Sequence, residues 1–473
     1  MKLLIGLIAI LPIVYLSFRY WKSAIKTVLL LVVIEGALRK WVLPQASELI
    51  YFLKDFVLVG AYIRYYGTGL IQKKLEIKIN FINVMCFLAA GWCIFQAFNP
   101  SLGSPIVGIF GLKAYFFYTP LMWILADVFE SESDLYKFLR SHLLLIIPVG
   151  ILGVVQFFSP PSSPINSYAP GLEAIGGVAT FSQFARITST FAYINNYALY
   201  LIVCFGLLIP FLSINQSRWW KLATIGEIFM VVVNLAMTGS RNPVITSVLF
   251  LCGYLGANLL TRPSRALRFV RQFLPIAIII SIAAFIWFRP AIDAFWNRAS
   301  SNSDVSHRIE NSFTEPLRFF QYKDIDGYGT GATHGASQTL RNALGLPPGE
   351  PIATGFEAEM GRIALDLGPI GFTLWYGFRL SMIIALWLVF WKLQRPFLKN
   401  LAIAACLIQA IQIIGQVVTL HTFSVYYWFL SSFIFLLPKL ERIQNFYRDL
   451  QLLNQNVQSA SFPDSPDGQS QLP

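Results

Sequence analysis

Residues 190–214 read TFAYINNYALYLIVCFGLLIPFLSI and contain no charged side chain. A helix needs about 20 mostly apolar residues to cross the hydrocarbon core of a bilayer, so this run is long enough for one crossing. Backbone N–H and C=O groups in lipid must be hydrogen-bonded within the protein, which favours a helix. The run therefore predicts a transmembrane helix.

Comparable apolar runs recur along the chain. The sequence is 56% hydrophobic and 13% charged, whereas about 25% of residues are charged in soluble domains. We therefore expect an all-α integral membrane protein, a polytopic bundle of about 12–13 transmembrane helices with one long extracytoplasmic loop. The candidate spans lie near 3–18, 23–38, 48–66, 79–98, 105–127, 139–158, 190–214, 219–237, 242–260, 270–289, 365–391, 400–418 and 422–438.

One long polar interval interrupts this apolar pattern and defines the regions of the chain. We expect an N-terminal transmembrane bundle (1–289), the long extracytoplasmic loop (290–362), C-terminal transmembrane helices (363–440) and a cytoplasmic tail (441–473). The end of the tail is rich in Gln, Ser, Asp and Pro, so we expect it to be partly disordered.

The distribution of basic residues predicts the orientation. The formal net charge is +12, but most Lys and Arg residues lie in short connectors between apolar runs. Cytoplasmic connectors carry an excess of Lys and Arg, so this charge indicates membrane topology and no nucleic-acid partner is expected. A connector with four arginines, 262–271, is therefore assigned to the cytoplasm. Counting spans from this connector assigns further segments to the outer face. They are the polar interval 290–362, the connector 159–189, the corners at Arg39-Lys40 and Gly239–Arg241, and His421.

Several basic residues thus lie on the face where few are expected. Arg241 follows Thr238-Gly239-Ser240 at the start of a helix, where backbone N–H groups also favour an anion. Arg39 and Lys40 form a second corner, and Arg186 lies in an outside connector. A polyanionic headgroup such as a diphosphate would explain them, because guanidinium groups bind phosphate oxygens in a bidentate fork. The alternatives are an arginine that snorkels to the interface and an aromatic and basic belt.

The polar interval also contains candidate acid–base residues. Glu357 and Glu359 are two apart and would point to different faces of a helix, so we expect only one to act as a general base. Glu359 has a structural alternative, an i,i+3 pair with Arg362, and this favours Glu357. His307 and His334 lack metal-ligand spacing, so no metal site is expected.

Two further features concern local structure. The sequence Gly327-Tyr328-Gly329-Thr330-Gly331 predicts a tight turn, which either presents backbone N–H groups to a ligand or serves only as a turn. Ionisable residues within spans are costly and usually face the bundle interior. This expectation applies to Lys54, Asp55, Lys113, Glu227 and Arg379.

Taken together, these pieces resemble the O-antigen ligase and O-antigen polymerase superfamily, membrane glycosyltransferases of the GT-C type. The matching segments are Arg-x-x-x-Thr-Phe at 186–191, Thr-Gly-Ser-Arg at 238–241, the glycine turn at 327–331 and Leu-Gly-Pro-Ile-Gly-Phe at 367–372. The segment Glu-Gly-Ala-Leu-Arg-Lys-Trp at 35–41 resembles a subgroup associated with exopolysaccharide synthesis.

The resemblance implies outer-face arginines that hold a lipid diphosphate, here Arg241 with Arg186 and Arg308 as further candidates. In ligases a histidine upstream of the 367–372 motif is thought to activate the acceptor hydroxyl, and Glu357 occupies that place here. A carboxylate can also serve as the base, and the departure favours a polymerase-like activity over lipopolysaccharide ligation. The expected substrate-binding residues are Arg186, Arg308, Arg39, Lys40, His307 and His334.

The expected function is polymerisation or transfer of a polyprenyl-diphosphate-linked oligosaccharide at the outer face of the cytoplasmic (inner) membrane, without a metal or another cofactor. The expected partners are that lipid-linked glycan, membrane lipid and other polysaccharide assembly proteins. Two alternatives remain open. The chain could be a transporter of a polysaccharide or amphiphile, or a non-catalytic membrane subunit of a polysaccharide assembly complex.

Overall fold

The computed structural model places most of the described residues in helices. It describes residues 2–68, 80–170, 178–181, 183–214, 216–264, 304–323, 325–352, 354–356 and 358–461, and isolated positions between 265 and 303. The first helices are α1 (Lys2–Arg19), α2 (Trp21–Ala37), α3 (Ser47–Tyr51), α4 (Leu53–Tyr62), α5 (Phe81–Ala97), α6 (Pro105–Phe116), α7 (Leu121–Val128), α8 (Glu132–Leu144) and α9 (Ile146–Phe158). A π-helical turn, Leu38–Val42, continues α2.

A short hairpin whose strands have two residues each precedes the second half of the chain, with β1 (Thr180–Phe181) antiparallel to β2 (Phe184–Ala185). The remaining helices are α10 (Ile194–Leu212), α11 (Arg218–Met237), α12 (Arg241–Thr261), α13 (Asp304–Phe319), α14 (Ala336–Leu344), α15 (Glu359–Lys392), α16 (Pro396–Ile411), α17 (His421–Ser431) and α18 (Phe433–Ser461). Helix α10, formed by the run that predicts a span at 190–214, is buried on nearly all sides. A helix that is apolar all round belongs in the interior of a bundle, and α10 occupies that place.

Seven helical segments among the described residues are long and apolar enough to cross a membrane. They are Glu132–Phe158, Ile194–Leu212, Arg218–Met237, Arg241–Thr261, Glu359–Lys392, Pro396–Ile414 and His421–Asn454. The pair α6 and α7, bent by 42°, makes an eighth if it forms one span. Pro120 lies at this bend, where its ring prevents a regular helix from continuing. The chain is therefore a helical bundle of the membrane type.

Several predicted outside connectors meet at one end of the bundle. The Lys40 ammonium group lies 2.5 Å from the carbonyl oxygen of Ser189, and Arg186 Nε lies 3.0 Å from the carbonyl oxygen of Thr238. These contacts join the turn after α2, the segment before α10 and the corner between α11 and α12. We call this the first end of the bundle.

Connectors with the predicted cytoplasmic assignment meet at the opposite end of these helices. Arg262, which follows α12, donates to the carbonyl oxygen of Gln394 at 3.2 Å, and Arg395 Nε lies 2.5 Å from a carboxylate oxygen of Glu132. Each of these residues lies next to a helix terminus that is far from the first end of the bundle. The grouping matches the alternation that the sequence predicts.

Helix α15 is divided by Gly368, which has φ 65° and ψ −176°. Pro369 then begins the second arm, in a first turn where proline is tolerated. A straight helix would separate Glu359 and Arg379 by about 30 Å, yet their side chains approach to 3.8 Å. The arms 359–367 and 369–392 therefore fold back on each other.

The described part of the polar interval packs against this broken helix. The N–H of Tyr328 donates to the carbonyl oxygen of Leu365 at 2.7 Å, and the N–H of Gly329 donates to that of Asp366 at 2.9 Å. The interval also contains α13 and α14. Helix α15 begins at Glu359, so its first residues lie within the range 290–362 that the sequence predicts as the loop.

Candidate functional site

Arg39 lies buried in the turn after α2, within a group of charged side chains. Its Nη1 lies 3.4 Å from Glu35 Oε1, and its Nε donates to Ser47 Oγ at 3.0 Å. The other carboxylate oxygen of Glu35 accepts from Lys54 Nζ at 2.7 Å. One buried carboxylate thus binds two cations from different elements.

Lys40 attaches the same turn to the segment before α10. Its Nζ donates to Thr188 Oγ1 at 3.0 Å as well as to the carbonyl oxygen of Ser189. The Gln156 side chain accepts from the backbone N–H groups of both residues, at 3.1 and 2.6 Å. A Cβ at Gly36 would lie 2.3 Å from the backbone nitrogen of Ala192, so α2 meets this segment at backbone contact.

Arg186 connects that segment to the corner before α12. Its Nε donates to the carbonyl oxygen of Thr238, and its Nη2 donates to Ser240 Oγ at 2.5 Å. Arg241 follows as the first residue of α12. The turn with Arg39 and Lys40, the segment that begins at Arg186 and the corner that precedes Arg241 therefore lie together at one end of the bundle.

A second group of ionisable side chains lies beside the first. Lys113 Nζ lies 2.8 Å from a carboxylate oxygen of Asp55 and 3.1 Å from His421 Nδ1. Tyr118 donates to Asp55 Oδ1 at 2.5 Å, and the Tyr51 hydroxyl lies 2.5 Å from His421 Nδ1. Lys54 and Asp55, adjacent in sequence, therefore have different partners.

The other predicted interior charges are also buried in pairs. Glu227 forms a bidentate contact with Arg140 at 2.8 and 3.0 Å. Arg379 lies 3.8 Å from Glu359 and donates to the carbonyl oxygen of Gln412 at 2.7 Å. These side chains face the bundle interior, in agreement with the expectation for charges inside spans.

His334 lies near His421, with the two ring centroids 5.7 Å apart. Its Nδ1 accepts the backbone N–H of Ala336 at 3.1 Å. Burial, with smaller contributions from Lys113 and Arg362, lowers the pKa of His334 to about 4, so the imidazole is neutral at pH 7. His334 therefore belongs to the same buried region as the second group.

Glu359 does not form the expected i,i+3 pair with Arg362. Its carboxylate accepts the backbone N–H groups of 417–419 at 2.8 to 3.4 Å and faces Arg379. Arg362 instead donates to the carbonyl oxygen of Thr333 at 3.1 Å. The fold-back at Gly368 brings Arg379 to Glu359, and these contacts favour a structural role for Glu359.

No protein-family model and no curated protein sequence matches the chain.

The remaining predicted residues lie partly outside the described structure. Glu357 is outside the described residues. His307 and Arg308 lie on α13, but their side chains are outside the described part, so their predicted roles are not tested. Within the described residues, no group of three or more His, Cys, Asp or Glu side chains could hold a metal ion.

Asp366 lies beside this candidate site, and no sequence pattern singles it out. Its carboxylate accepts the N–H groups of Gly331 and Thr333 at 3.2 and 2.8 Å and the Tyr115 hydroxyl at 3.1 Å. The backbone N–H groups of the glycine turn are therefore hydrogen-bonded to α15. This favours the interpretation that the segment serves only as a turn.

Near this contact lies a cavity with room for about one water molecule. Its lining includes Thr333, His334, Glu359, Arg362, Asp366 and Thr419.

Proposed function

We propose that the protein is a membrane glycosyltransferase that polymerises or transfers a polyprenyl-diphosphate-linked oligosaccharide at the outer face of the cytoplasmic membrane. The resemblance to the O-antigen ligase and polymerase superfamily suggests this activity. The observation that carries the proposal is that Lys40, Arg186 and the corner that precedes Arg241 lie together at the first end of the bundle. Cationic groups beside a helix N-terminus favour a phosphate group.

The membrane arrangement in this proposal follows the charge pattern. About 12–13 helices cross the bilayer, and the first end faces outward together with the polar interval 290–362. The opposite end, with Arg262 and Arg395, faces the cytoplasm, as does the C-terminal tail. Such an orientation leaves basic residues on the outer face, where a lipid diphosphate headgroup would bind them.

The proposed reaction is a displacement at the anomeric carbon of the donor sugar. The acceptor hydroxyl oxygen forms the new bond to that carbon, and the bond to the diphosphate oxygen breaks with its electron pair. The Glu357 carboxylate takes the hydroxyl proton, and outer-face arginines stabilise the departing diphosphate. The proposal requires no cofactor, because the carboxylate accepts the proton and the arginines offset the charge.

The test in cells compares Arg241→Ala and Glu357→Gln with the unmodified protein. Loss of an electrostatic stabiliser or of a general base costs about 100-fold or more in rate, so each variant should lose polymer and accumulate single lipid-linked repeat units. Arg262→Ala, at the opposite end, is the control and should retain normal polymer. Glycan length and lipid-linked intermediates are measured at equal protein levels in the membrane. Normal polymer length from both test variants would refute the assignment.

Transport is the second candidate, and the buried ion pairs favour it. Glu35 with Lys54, and Asp55 with Lys113, lie inside the bundle. Intramembrane ionisable groups often mark ion or substrate pathways. A transporter requires two compartments, whereas a transferase also acts in detergent, and this difference separates the two candidates.

A further inference from the structure

We propose that helix α13 lies in the interface between membrane and water, with the side chains of Phe313 and Leu317 inserted into the lipid at the first end of the bundle. The partner of this helix face is the bilayer surface itself. The inference concerns only where the helix lies, so it does not depend on the transferase activity.

One face of α13 is buried against α15. Residues three or four apart share a face of a helix. The Glu315 carboxylate accepts the N–H of Ala358, directly before α15, at 3.3 Å. A Cβ at Gly361 would lie 2.7 Å from the Phe319 ring. The buried side chains of this face are Ser312, Glu315, Pro316 and Phe319.

The rest of the described surface of α13 divides into an apolar and a polar part. Phe313 and Leu317, one turn apart, expose 53% and 72% of their surface. Phe320 continues this apolar face, because its N–H still donates to the carbonyl oxygen of Pro316 at 3.1 Å. Helices that lie in a membrane interface have one apolar and one polar face. The polar face consists of Glu310, Asn311, Thr314 and Arg318.

A ring contact of Phe320 places the apolar face beside a membrane span. The ring centroids of Phe320 and Phe372 are 5.5 Å apart. Phe372 belongs to the second arm of α15, 369–392, which is about 36 Å long and therefore long enough to cross the hydrocarbon core. This arm ends near Arg395 at the opposite end of the bundle, so Phe372 lies toward the first end.

The second arm of α15 also shows a surface that continues to α13. Ile325 follows α13 and exposes 54% of its surface, and a Cβ at Gly368 would lie 2.1 Å from its carbonyl oxygen. Contiguous exposed apolar surface marks a contact with a partner or a membrane. Lipid around the span would therefore also cover Phe313 and Leu317. The exposed apolar side chains along the arm are Ile370, Leu380, Ile384 and Leu388.

The experiment measures the depth of nitroxide labels on α13 by electron paramagnetic resonance, in vesicles of phosphatidylcholine and phosphatidylglycerol. The background variant is Cys252→Ser, because the other four cysteines are buried. Collisions of each label with oxygen, which concentrates in lipid, are compared with collisions with a water-soluble nickel chelate. The labels are attached singly at Phe313→Cys, Leu317→Cys, Thr314→Cys and Arg318→Cys.

The two faces should give opposite results. We expect the labels at Phe313→Cys and Leu317→Cys to collide mainly with oxygen and to lie about 5–10 Å deep in the boundary between headgroups and acyl chains. The labels at Thr314→Cys and Arg318→Cys are the matched controls on the polar face, and they should collide mainly with nickel.

A charge on the apolar face supplies a second measurement. Leu317→Asp should shift the label at Phe313→Cys toward water and raise its nickel collisions, because a carboxylate is costly to place in lipid. Thr314→Asp adds the same charge to the polar face and should leave that label at its original depth.

Two results would overturn the proposal. Equal nickel collisions at all four labelled positions would mean that the apolar face lies in water. Labels at Phe313→Cys and Leu317→Cys that neither reagent reaches would mean that protein, such as a second copy of the chain, covers this face instead of lipid.

Discussion

Replacing Glu35 with glutamine is expected to lower the free energy of unfolding by about 3–5 kcal/mol, the typical cost of breaking a buried ion pair. Glu35 lies within reach of both Arg39 and Lys54, at 3.4 and 2.7 Å, and all three side chains are almost completely buried. The amide carries no charge, so two cations would remain in the bundle without this partner. Denaturant unfolding of the purified protein in micelles measures the loss.

The matched control for this change is Glu130→Gln. Glu130 also pairs with a lysine, Lys22, at 2.5 Å, but both side chains are exposed, so its replacement should leave the stability unchanged. The double variant Glu35→Gln/Lys54→Met should recover part of the loss, because it removes one of the cations left unpaired. Equal stability of the Glu35→Gln and Glu130→Gln proteins would show that the buried network does not stabilise the fold.

Replacing Gly368 with alanine is the second change with a large expected effect. Gly368 has φ 65° and ψ −176°, a conformation almost restricted to glycine, and a Cβ there would lie 2.1 Å from the carbonyl oxygen of Ile325. The backbone strain and the clash together should cost about 2–6 kcal/mol. We expect little folded protein, measured as the monodisperse fraction in size-exclusion chromatography.

Gly377→Ala provides the control on the same helix. The nearest atom to a Cβ at that position is Met85 Sδ, at 4.0 Å, so the methyl group has room. This variant should give a normal yield of folded protein. A normal yield from Gly368→Ala as well would mean that the two arms of α15 do not fold back at this residue.

The fold class can be predicted from the sequence because a sufficiently long apolar run in lipid forms a helix, in which the backbone groups are hydrogen-bonded internally. The run at 190–214 predicts a helix, and the structure shows that helix as α10. The run at 48–66 instead forms α3 and α4, with a break at Phe52, because apolar composition alone does not fix where a helix is interrupted. Composition also could not predict how sharply Gly368 turns α15.

The candidate site was predictable only in part. Arg39, Lys40, Arg186 and Arg241 stand out individually because the charge pattern predicts that they lie on the outer face, where few basic residues are expected. The contacts of Lys40 with Thr188 and Ser189, and of Arg186 with Thr238, depend on tertiary packing, which leaves no local pattern in the sequence.

The pair of Glu359 with Arg379 illustrates the same limit. Local spacing selects Arg362 as the partner of Glu359, since residues three apart are neighbours on a helix. The fold-back at Gly368 brings in Arg379 instead. His421 and Asp366 are single polar residues in apolar surroundings, and their partners come from distant segments, so only the structure identifies them.

The most direct test of the proposed activity uses the purified, folded protein in detergent with a polyprenyl-diphosphate-linked oligosaccharide and an acceptor glycan. A transferase should release polyprenyl diphosphate and lengthen the acceptor without a second compartment, and Arg241→Ala should lose this reaction while Arg262→Ala keeps it. Donor that remains intact in the presence of the folded unmodified protein, or equal turnover by the Arg241→Ala variant, would contradict the proposal.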